Sequence, residues 1–145
     1  MVVLDTDILS LIQDEANPVG QRVLARLRAS SRPNAITSPT VEEQLKGRLA
    51  YCAGAKTVEQ YVEAVRQLLA TLDLLRERTV LRFDDRAAAE FKQLKVAKIR
   101  IGTMDLRIAS IALVYGATLV TANVSDFRKV PGLAVEDWTK PDLGS

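Results

Sequence analysis

Five short runs rich in β-branched residues punctuate the chain: Val2-Val3-Leu4, Ala35-Ile36-Thr37, Val80-Leu81-Arg82-Phe83, Thr118-Leu119-Val120-Thr121 and Leu133-Ala134-Val135. Such runs suit strands, and most are separated by longer segments with helical patterning. Strands that alternate with helices imply a mainly parallel sheet covered on both faces. The expected fold is therefore α/β, with one central, mainly parallel five-stranded sheet flanked by helices on both sides.

The clearest helix runs through residues 56–78, where Val58, Tyr61, Val62, Val65, Leu68, Leu69, Leu72 and Leu75 recur at three- and four-residue steps. One face of it is core or partner surface. Asn17-Pro18 and Ser38-Pro39 pair a capping residue with a proline, which is tolerated in a first turn where its missing N–H leaves nothing unbonded, so helices are expected close to both. The segment from Leu106 to Tyr115 is apolar almost all round and reads as a buried helix with Asp105 at or near its start. A chain of 145 residues, 48% hydrophobic and 26% charged, has the size and balance of one domain with a real core. Residues 1–139 are assigned to that domain and 140–145 to a loose C-terminal tail.

Several classes of chemistry are closed to this composition. One cysteine, Cys52, and no histidine leave no intramolecular disulfide, no Cys/His zinc site and no imidazole catalysis. Any bound metal needs oxygen ligands. Neither a basic-then-apolar leader nor a run of roughly 20 apolar residues is present, so a cytoplasmic protein with no membrane association is expected. Lys plus Arg exceed Asp plus Glu by only 20 to 18, too mild a balance to announce nucleic acid by itself.

Asp5 directly follows the first strand, Glu43 lies in the helix after the second, Asp105 opens the buried helix, and Asp126 follows the fourth strand. Taken singly, each has an ordinary reading as a helix cap, solvated helix residue or turn residue. In an open parallel α/β sheet, however, the carboxyl ends of the strands form the ligand crevice, where four acids from distant stretches can meet. Gathered carboxylates repel one another, and a divalent cation removes that penalty. Hard oxygen donors favour Mg²⁺ or Mn²⁺, and such a site suits phosphodiester hydrolysis. A helical wheel on Val41, Leu45 and Leu49 does not separate Glu43 from its neighbour Glu42, and even sets Glu42 nearer the buried flank.

At these residues the chain resembles the PIN-domain ribonucleases, especially the VapC toxins of toxin-antitoxin pairs. Four blocks carry the likeness and together span nearly the whole chain. Val3-Leu4-Asp5-Thr6-Asp7-Ile8-Leu9 looks like the family's first strand and its terminal aspartate, with Asp7 a secondary polar residue or helix cap. In Ser38-Pro39-Thr40-Val41-Glu42-Glu43-Gln44-Leu45-Lys46-Gly47, a Thr three residues before the acid and a Gly four after it select Glu43, with Glu42 the fallback; Gln44 departs from the apolar residue common there. Gly102-Thr103-Met104-Asp105-Leu106-Arg107-Ile108-Ala109 is similar to the third block. Leu119-Val120-Thr121-Ala122-Asn123-Val124-Ser125-Asp126-Phe127 resembles the closing one.

The resemblance implies that Asp5, Glu43, Asp105 and Asp126 are catalytic and hold Mg²⁺ or Mn²⁺, with Thr6, Thr121 and Asn123 lining the site. It implies an endoribonuclease acting on RNA, a homodimer, and a VapB-like antitoxin that inserts a C-terminal segment near the active site. A PIN nuclease of RNA processing without an antitoxin and a catalytically inactive RNA- or protein-binding PIN module are the alternatives; intact acids argue against the second. Lys46, Arg48, Lys92, Lys95, Lys98, Arg100 and Arg107 are candidate phosphate contacts, against the ordinary reading of a solvated face. Trp138 and Phe127 read as core rather than base-stacking aromatics, and Cys52 as a bystander.

Overall fold

The computed structural model describes residues 1–141; of the expected tail, residues 142–145 lie outside them. In chain order the elements are β1 (Val2–Leu4), α1 (Thr6–Gln13), α2 (Pro18–Ala29), β2 (Asn34–Thr37), α3 (Ser38–Ala53), α4 (Val58–Arg76), β3 (Val80–Leu81), α5 (Asp85–Val96), α6 (Thr103–Val114), β4 (Thr118–Val120), α7 (Val124–Phe127) and β5 (Ala134–Glu136). The strands form one sheet in the order β3-β2-β1-β4-β5, and all four pairings are parallel rather than mainly so.

The pleat divides the core in two. Successive strand residues point to opposite faces, so Val3, Ala35 and Leu119 pack with α5 and α6, while Val2, Leu4, Ile36 and Val120 pack with α1 and α2. Both faces are apolar, as a parallel sheet requires. Burying each large aliphatic side chain contributes about 1.5–3 kcal/mol. Phe127 and Trp138 are core, as expected, and the Arg26 guanidinium lies 4.5 Å over the indole ring.

Element boundaries shift where side chains take over backbone hydrogen bonds. β3 stops at Leu81 because the Phe83 N–H donates to Ser38 Oγ at 2.9 Å, and Asp84 then caps α5 by accepting from Ala87 N at 3.0 Å. β4 ends at Val120, and β5 lies one residue later than the apolar run implied. Asn17 caps α2 as expected, but the cap of α3 is Thr37; Ser38 and Pro39 already occupy its first turn. α6 starts at Thr103, with Asp105 in its first turn, near the start as expected.

The long amphipathic segment is α4, begun by a capping box between Thr57 and Gln60. Only Ala64, Thr71 and Leu75 of this helix are buried. Val58, Tyr61, Val62, Leu69 and Leu72 are exposed, so most of its apolar face is surface and not core.

Candidate active site

β1 is the central strand, with β2 and β3 on one side and β4 and β5 on the other. The connections diverge between β1 and β4, and a crevice outside the carboxyl ends of the strands belongs at that switch point. Asp5 leaves β1 there, its N–H donating to Val120 O of β4 at 3.0 Å.

Asp5 is only 4% exposed, and both its carboxylate oxygens are engaged. Oδ1 accepts from Thr6 N at 2.8 Å, which caps α1, and Oδ2 accepts from Thr121 Oγ1 at 2.8 Å. Burial pushes its carboxyl above the ordinary carboxylate value; the bonds from Thr121 and Thr6 oppose that push, and Asp7 and Glu43 add to it.

Glu43 is positioned by a chain of hydroxyls. Thr37 Oγ1 donates to Thr40 Oγ1 at 3.3 Å, Thr40 bonds Thr6 Oγ1 at 2.9 Å, and Thr6 Oγ1 donates to Glu43 Oε1 at 2.7 Å. Thr40 and Glu43 are about one helical turn apart, so the spacing that singled out this acid puts both on one face of α3, where each bonds the Thr6 hydroxyl. Glu42 is exposed. Gln44, hydrophilic where an apolar residue is common, is buried and donates from Nε2 to Ser10 Oγ at 2.9 Å, tying α3 to α1.

Asp105 is half-buried and, among the described residues, no hydrogen-bond donor engages its carboxyl. Burial first, and then the charges of Asp5, Glu43, Asp126 and Asp7, push its carboxyl up to about 6. Asp5 follows β1, Glu43 lies in the helix after β2, Asp126 in the helix after β4, and Asp105 in the first turn of the helix that leads back to β4, so the topology sets the four toward the carboxyl edge of the sheet, with Asp7 in the first turn of α1. Its position in the first turn of α6 supplies only partial compensation from the helix N-terminus.

Asp126 differs. Asn123 Nδ2 donates to one of its oxygens at 3.1 Å and Lys129 Nζ to the other at 3.3 Å, holding its carboxyl below the ordinary value. Thr121 Oγ1, besides donating to Asp5, accepts from Asn123 N at 2.9 Å. Thr6, Thr121 and Asn123 thus orient the acids. Sequence reasoning underweighted Asp7, whose signal was its place two residues after Asp5 in the first turn of α1, and the buried Thr37–Thr40 pair, whose signal was the Thr-x-x-Thr spacing ahead of Glu43.

Among the described residues, no three acidic, thiol or imidazole side chains close around one point. The donors are an open row of hard oxygens. An ion that takes one or two carboxylates and keeps several waters and a substrate phosphate fits such a row; one demanding an all-protein cage does not.

The fold is a parallel α/β sheet with carboxylates beyond the carboxyl ends of its strands. The model of the PIN domain family matches residues 2–133, and the chain belongs to that family. Ribonuclease VapC1 of Haemophilus influenzae R2866 is 30% identical over 141 residues, 95% of this chain and 98% of that protein. Ribonuclease VapC2 of Rickettsia felis is 44% identical over 48 residues, a match spanning 33% of this chain and 36% of that relative. The crystal structure of VapBC2 from Rickettsia felis, bound to a promoter DNA fragment, contains a chain that superposes with a TM-score of 0.70 at 27% identity, covering 95% of this chain and 99% of that one.

Proposed function

We propose that this chain is a divalent-metal-dependent endoribonuclease that hydrolyses RNA phosphodiester bonds, and that it is the toxin of a VapBC-type pair. The observation that carries the reading is Asp5, fixed by Thr6 and Thr121 where β1 ends, with Asp105 in the first turn of α6: two carboxyls above their ordinary range in a chain aligned along its length with a ribonuclease VapC1. Groups left so poorly compensated are candidates for function rather than for stability.

Asp5 and Asp105 are the residues that would hold Mg²⁺ or Mn²⁺, with Glu43 and Asp126 flanking them. When bound, the cation supplies Lewis-acid activation of water and offsets charge gathering on the phosphate. Asp5 Oδ1 and Oδ2 are fixed by Thr6 and Thr121, so this carboxylate is preorganised in one orientation. The Thr6 hydroxyl, donating to Glu43 Oε1, holds the second acid in a set rotamer. The Asn123 amide and Lys129 ammonium keep Asp126 ionised. With no histidine in the chain, proton handling falls to carboxylates and water.

The partners in this reading are an RNA substrate, a VapB-like antitoxin and a second copy of the chain. No helix among the described residues is long and apolar enough to cross a membrane, and we place the activity in the cytoplasm. The test is incubation of purified protein with a panel of defined RNAs in Mg²⁺, Mn²⁺ or chelator. Cleavage is expected with either metal, not in chelator, and not by Asp5→Asn; metal-independent cleavage, or a fully active Asp5→Asn, would refute the mechanism.

A further inference from the structure

Two helical glycines stand in opposite surroundings. At Gly20 in α2 a Cβ would lie 1.9 Å from the Leu11 carbonyl oxygen, so the close approach of α1 to α2 requires glycine. At Gly47 in α3 a Cβ would meet nothing within 4 Å. Its backbone is not in the left-handed region either, which among the described glycines only Gly116 and Gly132 occupy. Glycine is the least favourable helix residue after proline. Among the described residues nothing packs against the space left at position 47 to offset that penalty, whereas a molecule passing close to the backbone would.

Gly47 also lies between two grooves. One, of about 620 Å³, runs past Ser10, Gln44, Arg48, Tyr51 and Gln67. The other, of about 550 Å³, runs past Lys46, Ala50, Met104 and Arg107. Glu43 and Gly47 belong to the walls of both, so the glycine forms a low saddle on α3 one turn beyond an acid of the site. The walls suit a polyanion. Arg48 is oriented by Thr71 Oγ1 at 3.0 Å and Gln67 Oε1 at 2.8 Å without being neutralised. Among the described residues, Lys46, Arg48 and Arg107 pair with no carboxylate. Tyr51, 46% exposed, brings an accessible aromatic ring to the first groove.

We propose that the RNA strand crosses α3 over Gly47, seating nucleotides on either side of the saddle, one of them against Tyr51, with Lys46, Arg48 and Arg107 tracking the phosphates. The inference rests on the ribonuclease reading and names the path of its substrate. Single-stranded RNA matches the combination of unpaired cations and an aromatic platform.

The experiment compares wild type, Gly47→Ala, Gly47→Leu and Lys46→Gln. Readouts are thermal melting, anisotropy of a labelled 2′-O-methyl RNA in chelator, and KM and kcat for the same sequence as RNA with Mn²⁺. Gly47→Ala is expected to raise the melting temperature by about 2–4 °C, because it improves a helix and fills only open space. Gly47→Leu should weaken RNA binding and raise KM about tenfold, the loss of roughly one seated base, with kcat retained. Lys46→Gln should lower the slope of log affinity against log salt by about 0.7. Wild-type RNA affinity and KM in Gly47→Leu would overturn the crossing, and so would retained RNA affinity with loss of antitoxin capture, which would assign the saddle to protein. Asp5→Asn run alongside separates the two claims: if it still cleaves, the ribonuclease reading falls, while the binding series in chelator still decides the path.

Discussion

The acidic edge is assembled from two unlike halves. In the half built by β1 and α6, Val2, Val3, Leu4, Leu106, Ile108, Ala109 and Ile111 are fully buried, and the acids set into it, Asp5 and Asp105, are left above their ordinary carboxylate range. In the half built by α3 and α4, Glu43 is met by a hydroxyl, and Tyr61, Val62 and Leu69 face outward. The rigid half stores unfavourable charge because its packing, by far the larger favourable contribution, tolerates it. The outer half stores none and offers surface instead. A functional site of this kind takes its chemistry from the first half and its contacts from the second.

Removing a charge from the inner half is expected to give the largest effect. Asp5→Asn or Asp105→Asn should lower RNA cleavage by about 10³-fold or more, several kcal/mol of lost transition-state stabilisation. Asn at position 5 keeps an acceptor for Thr6 N and is as good a cap as Asp, so melting in chelator should be unchanged or higher. Asp126→Asn, at a carboxylate already satisfied by Asn123 and Lys129, should cost about 10- to 100-fold. Steady-state kinetics with circular dichroism melts measures all three, and an Asp126 variant more damaged than the inner pair would break the contrast.

On the outer half, Glu43→Gln should reduce metal-dependent cleavage by about 10- to 100-fold, since the Thr6 bond orients this acid toward the crevice. Glu42→Gln, on the exposed side of α3, should leave kcat/KM nearly unchanged. Equal losses would mean that the hydroxyl chain does not choose between them.

Stability against pH in chelator is a smaller and more direct probe of the inner half. The folded Asp105 carboxyl titrates at about 6 against an ordinary 3.8, so the folded state holds this proton more tightly than the unfolded one. Its favourable contribution is complete below pH 3.8 and disappears as pH rises through 6, with Asp5 acting in the same direction. Because Asp105 is half exposed, solvent screening reduces the difference to the order of 1 kcal/mol. Urea melts should therefore find Asp105→Asn about 1 kcal/mol more stable than wild type at pH 7.5 and indistinguishable near pH 4, with Mn²⁺ reversing the order at pH 7.5. Parallel curves across that range would show that the acids do not repel.

How far the two halves could be read from sequence follows from the same physics. The run Ile108–Leu113 is apolar almost all round, with Ser110 its one polar residue, a pattern that suits a buried helix, and Asp5 after a β-branched run falls at a strand end whatever the details. α4 was less legible: Val58, Tyr61, Val62, Leu69 and Leu72 keep helical spacing, and spacing alone states that a face is apolar without saying what covers it. The α3 register was undecidable on a wheel because Leu49, used to define its buried side, is 56% exposed. Thr40, bonded to Thr6, marks the inward side instead. Asp126 falls in α7, shortly after β4, and its pairing with Lys129 depends on the turn of α7, which no periodicity reports.

The smallest expected effect tests the outer half directly. If the apolar face of α4 is surface, then replacing Val62 and Leu69, which are 53% and 55% exposed, removes little burial. Val62→Ser and Leu69→Ser should each change folding stability by no more than about 0.5 kcal/mol in dilute protein, the range of ordinary surface substitutions. The contrast with α6 is one of geometry and not of hydrophobicity, because both helices carry long apolar sequences and only α6 buries most of its own. Urea melts at two protein concentrations decide the matter. A loss above about 2 kcal/mol that grows with protein concentration would mean that this face is buried between chains, since association adds stability by mass action only where the interface is intact; the exposed half would then be part of the folded unit and the division drawn between the halves would fail.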